Sequence, residues 1–156
     1  LKRLAPIATE KDANRRPFFV WSAAFAYFGL SFAIAFVLGT IRTLVVAPLA
    51  GEIAAVAIEV PIMLAVSWFA CRWTVTRFGV PRRIAPRACM GALAFALLMA
   101  AELGLAVLAF GRTPSAFLAS FGTVAGVIGL AAQMGYGLMP LWQLWAGRDR
   151  APSRDP

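Results

Sequence analysis

The apolar residues of this chain come in long unbroken runs, not in the one-face stripes of a soluble surface helix. Phe18 to Gly39, FFVWSAAFAYFGLSFAIAFVLG, contains no charged residue. A helix of that length rises ~30 Å, the thickness of a bilayer's hydrocarbon core. Three more runs follow, Ile53 to Trp73, Ala88 to Phe110 and Ala116 to Trp145, separated by polar or turn-forming stretches. The pattern predicts an all-α integral membrane protein: a four-helix bundle with transmembrane helices at about 18–39, 53–73, 88–110 and 116–145.

The breaks between the runs have local causes. Pro17 suits the first turn of the first span, where a missing N–H is harmless. Thr40 to Glu52 either prolongs the first span by a turn or two and breaks at Pro48 and Gly51, or lays Leu44 to Leu49 in the outer interface; Pro48 disfavours a helical Ala47, which predicts a break near there. Pro61 removes one backbone hydrogen bond from the second span and should bend it. Gly79-Val80-Pro81 is a turn signal, and Pro86 fits the start of the third span. Gly111 to Ser115 reads as a short loop, with Thr113 as N-cap and Pro114 at the first helical position. Residues 1–16 and 148–156 are polar and read as tails.

Composition sharpens this picture. The chain is 61% hydrophobic and 14% charged, with mean hydropathy +0.77. Its net charge of +8 would suggest nucleic acid in a soluble protein, but here the charges flank the apolar runs. They read as topology signals and as contacts to anionic lipid headgroups, with no nucleic-acid partner. Lys and Arg number five in residues 1–16, five in 72–87, three in 148–156, and one each in 40–52 and 111–115. The positive-inside rule then places both termini and the 72–87 loop on the cytoplasmic side. Trp21, Trp68, Trp73, Trp142 and Trp145 fall near that same face, as an interfacial belt does. Arg72, Arg77, Arg82, Arg83 and Arg87 are the expected headgroup contacts. An alanine and arginine bias with only two lysines suits a bacterial genome, hence a bacterial inner membrane.

Candidate chemistry is sparse. The absence of histidine excludes His-ligated haem, His-based zinc sites and His-dependent triads. Cys71 and Cys89 read as small apolar residues, with no CxxC. No nucleotide-binding, hydrolase or metalloprotease signature occurs, so no catalytic residue, metal or cofactor is expected.

The residues that stand out are acids inside apolar runs. Glu59 lies ~9 Å and Glu102 ~12 Å below the outer ends of their helices, at similar depth. A carboxylate there costs ~3 kcal/mol or more unless it is paired or neutralised. Arg42 is the natural partner, since its side chain can reach down from the interface. Glu52, seven residues before Glu59, would rim the site. Two readings stand: a polar clamp fixing helix register, or an ion, proton or substrate site. In the last run Ala119, Gly122, Gly126 and Gly129 recur on one small-residue face, and Gly29 belongs to a similar face of the first span. These are the expected helix-packing positions, within the bundle or against another subunit. Gln133 reads as an interhelical hydrogen bond. Function is then expected to be non-enzymatic: an accessory or assembly subunit packed on another membrane protein or on itself. The alternative is a small oligomeric transporter or channel using Glu59 and Glu102.

Overall fold

The structure is a computed structural model that describes residues 10–146, with side chains from Phe19 onward. Every element among these residues is helical. Helix α1 (Glu10–Ile41) continues through a π-helical turn, Arg42–Val46, into the single turn α2 (Ala47–Ala50). Helix α3 (Glu52–Arg77) follows, then α4 (Ile84–Gly104) with its own π-helical extension, Leu105–Ala109. Short α5 (Pro114–Ser120) leads to α6 (Val124–Ala146). Four helical segments are long and apolar enough to cross a membrane: Phe19–Ala50, Glu52–Arg77, Ile84–Ala109 and Val124–Ala146.

Four boundaries differ from the sequence expectation, each for a local reason. Residues 10–16, expected as tail, are the start of α1; residues 1–9 and the polar end after Ala146 lie outside the described residues. The expected break at Ala47 is absorbed by the π turn. There the Ala47 N–H reaches back to the Arg42 carbonyl, and Pro48 opens α2, where its missing N–H is tolerated. The chain prolongs the first helix and breaks at Gly51, the other position expected to end it, whose φ of +82° is a conformation that disfavours side chains. The third span starts at Ile84, not Ala88, so Pro86 falls inside its first turn. The fourth run is two helices: Thr113 caps α5 by accepting from the Ala116 N–H at 3.2 Å, and Thr123 caps α6 by accepting from the Gly126 N–H at 3.0 Å.

The long helices form a ring in the order α1, α3, α6, α4, each packed on the next. With lipid outside, burial of apolar surface does not drive them together, so close approach of small residues must. Ala23, Ala24 and Ala94 are fully buried, beside Met90 and Cys71. The tightest contact is between α4 and α6. A Cβ at Gly91 would run into the Gly137 carbonyl, and one at Gly137 would lie 3.1 Å from Phe95 Cβ.

The glycines expected to pack helices do other things. Gly126 makes room for the Ser120 carbonyl at the α5–α6 corner, and Gly122 lies by the Ala119 carbonyl. Because the chain turns between Ser120 and Val124, Ala119, Gly122, Gly126 and Gly129 do not share one helix face. A Cβ at Gly29 or Gly129 would meet nothing within 4 Å.

Candidate functional site

Polar side chains gather along the inside of the ring. At the end away from the α3–α4 turn, the π turn carries Arg42. A π turn holds one residue more than an α turn and so re-aims the side chains around it. Arg42 Nε stands 2.8 Å from Glu59 Oε2 on α3, joining neighbouring helices. The N–H does not point at that oxygen, so the contact is an ion pair without a directed hydrogen bond. Both side chains keep some exposure, 32% for Arg42 and 19% for Glu59. Glu52 sits apart, exposed in the first turn of α3, where a negative charge suits the helix N-terminus.

Glu102 has a different partner. The Gln133 amide nitrogen, on α6, donates to both of its oxygens, at 2.6 and 2.7 Å. Arg42 and Glu59 both act on Glu102 electrostatically, so the three charged groups share one region of the bundle. Gln133 Oε1 is buried and has no hydrogen-bond partner.

One turn further along α6 lies Tyr136, and here the two diagonal helices meet. Tyr27 of α1 stacks on the Tyr136 ring, with centroids 4.4 Å apart and planes 21° from parallel. Its hydroxyl donates to the Tyr136 backbone carbonyl at 3.0 Å. That carbonyl lies four residues before Pro140, which has no N–H to give it. Tyr27 thus replaces the hydrogen bond that the proline removes, as a proline inside an apolar helix requires. Ser31, 2% exposed, and Tyr136, 4% exposed, interact through their hydroxyls, yet neither oxygen closes a hydrogen bond. Ser67 and Cys71 of α3 border the same pair of rings.

At the opposite end of the bundle the arginines divide. Arg72, Arg77, Arg82 and Arg83 are exposed. Arg87, expected at headgroups, is instead 5% exposed and donates to the Pro81 and Val80 carbonyls at 3.3 and 3.4 Å. It closes the turn between α3 and α4. Arg82 and Arg83 line an open hollow of about 340 Å³ with Ile84 and Leu144. Cys71 is buried, Cys89 is exposed, and both are free thiols. Among the described residues no three His, Cys, Asp or Glu side chains gather as a metal-binding group.

The structure therefore brings Arg42, Glu59 and Glu102 into one region and leaves Glu52 outside it. Sequence reasoning missed Tyr27, Ser31 and Tyr136. The available signal was Pro140: a proline inside an apolar helix frees the carbonyl four residues earlier. No protein-family model, curated protein or solved structure matches this chain.

Proposed function

We propose that the chain is a non-enzymatic accessory or assembly subunit of a membrane, a four-span bundle that packs on another membrane protein or on a second copy of itself. The observation that supports this reading is that each intramembrane acid is answered from a neighbouring helix of the same chain. Arg42 answers Glu59, and Gln133 answers Glu102. Such ties fix helix register. The open space over Gly29 and Gly129 leaves two outer positions where another helix can approach closely. Both termini and the 78–83 turn face the cytoplasm in this reading, for the charge asymmetry already given, and the membrane is a bacterial inner membrane. The exposed arginines of that face meet anionic headgroups.

The test is purification from native membranes in mild detergent, comparing the wild-type chain with Gly29→Leu and Gly129→Leu. A stoichiometric partner or self-association that either change removes supports the reading. A monomer without a partner in all three overturns it. Orientation is checked separately, in a Cys89→Ser background. Arg112→Cys should react with an impermeant thiol reagent from outside and Arg82→Cys should not.

A second reading, a small transporter or channel, is favoured by one observation. Three buried oxygens, Ser31 Oγ, Tyr136 Oη and Gln133 Oε1, have no partner in the interior of the bundle. In this reading Glu59→Gln abolishes flux in proteoliposomes while thermal stability stays near wild type.

A further inference from the structure

The geometry points to a hydrated proton-binding site at the centre of the bundle, in which Glu102 takes up the proton, Gln133 accommodates it, and water held at the Ser31 and Tyr136 hydroxyls delivers it. The starting point is a mismatch in hydrogen bonding. One Gln133 N–H₂ group serves both oxygens of Glu102, while Gln133 Oε1 is buried and unpartnered. The ionised acid thus leaves an acceptor unmet. The protonated acid resolves the mismatch. When Glu102 gains a proton, Gln133 turns over about its last side-chain bond, and Oε1 accepts the new O–H. Each protonation state then has its own bonded arrangement with the same two residues.

Water supplies the route. Ser31 Oγ and Tyr136 Oη belong to side chains nearly fully buried, and both lack a partner. An unmet polar atom within a bilayer's apolar depth costs several kcal/mol, on the order of a lost hydrogen bond in hydrocarbon. The two hydroxyls act on each other across the α1–α6 diagonal, and buried polar groups with unfinished hydrogen bonds are where proteins hold internal water. Tyr136 is three residues from Gln133 on α6, hence on the same helix face. Ser31, Tyr136, Gln133 and Glu102 are thus a polar series linked in pairs: Ser31 to Tyr136, Tyr136 one turn from Gln133, and Gln133 to Glu102. Tyr27 is not part of it, because its hydroxyl is committed to the Tyr136 carbonyl.

The charged groups that act on Glu102 are Arg42 from the π turn and Glu59 from α3; α6 presents the Gln133 amide. Proton uptake at Glu102 removes one of two negative charges around one guanidinium, leaving Arg42 to Glu59 alone. The site is independent of whether the bundle docks on a partner.

The experiment has two arms on the full chain in lipid. Infrared spectra of protein labelled with ¹³C at the glutamate carboxyls are recorded from alkaline to acid pH. A protonated-carboxyl band should appear as pH falls, vanish in Glu102→Gln, survive in Glu59→Gln, and move in Gln133→Leu. A band that belongs to Glu59, that ignores Gln133→Leu, or that never appears overturns the site. Should Glu102→Gln fail to fold, the Gln133→Leu and Glu59→Gln spectra decide by themselves. In the second arm, hydroxyl-radical footprinting compares two buried tyrosines, Tyr27 and Tyr136. Tyr136 should be modified several-fold more than Tyr27, and Ser31→Ala should remove the difference. Equal yields would show a dry centre and overturn the water route.

Discussion

The two halves of this bundle are held together differently. The half bearing the α3–α4 turn is close-packed, with Ala23, Ala24, Cys71, Met90 and Ala94 buried and Gly91 against Gly137. The half bearing the π turns has few buried side chains and is tied by Arg42–Glu59 and Glu102–Gln133. Helices in lipid lack a hydrophobic drive toward one another, so they must either fit closely or bond across the gap. This chain uses one means at each end. In the closely fitted half the buried polar side chains Thr74 and Arg87 are bonded to nearby backbone carbonyls. Both intramembrane acids lie in the other half, where they are answered by bonds between helices.

The comparison can be broken most severely in the packed half. Gly91→Leu should lower stability by about 3 kcal/mol, the upper part of the range for overpacking, because the side chain meets backbone. Thermal unfolding in detergent measures it. Next comes Arg42→Ala, which strands Glu59 and should cost about 2 kcal/mol, less than a fully buried pair would because both groups keep some exposure. Arg42→Ala with Glu59→Gln should cost less than Arg42→Ala alone; simple additivity of the two single changes would mean that the pair does not act as a clamp. Tyr27→Phe should cost about 1 kcal/mol, since it keeps the ring stack and strips the bond to the Tyr136 carbonyl. The smallest effect sharpens the contrast: Gly29→Leu should change the stability of the isolated chain by less than about 0.5 kcal/mol, as nothing lies above it.

Several of these features are legible in the sequence and several are not. The four spans are, because their apolar runs are long and carry few charges. The Arg42–Glu59 contact also follows from depth and from the scarcity of other cations. That Gln133 bonds another helix is legible too, but that its partner is Glu102 is not, for a reason that can be traced. Counted from Ala116, Gln133 seems much deeper than Glu102. Counted from Val124, where α6 begins, it is nine residues in, close to the seven that separate Glu102 from Ala109. The turn at 121–123 hides the match, and Thr123 three residues before Gly126 was its only local sign. Arg87 misleads by composition: among five arginines in a basic loop, one is internal because the turn needs a donor. The Gly91–Gly137 contact is hidden for a different reason, since one glycine on each of two helices forms no motif within either.

The bond from Tyr27 to the Tyr136 carbonyl links residues 109 positions apart. Its donor is synthesised before its acceptor. α6 carries Pro140, and the carbonyl that this proline strands finds its replacement partner only on α1. Helix α6 is therefore complete only beside α1, which is made before it. Until then it holds an exposed carbonyl, which gives a newly made bundle a built-in reason to close its ring and a cell's quality control a mark of one that has not.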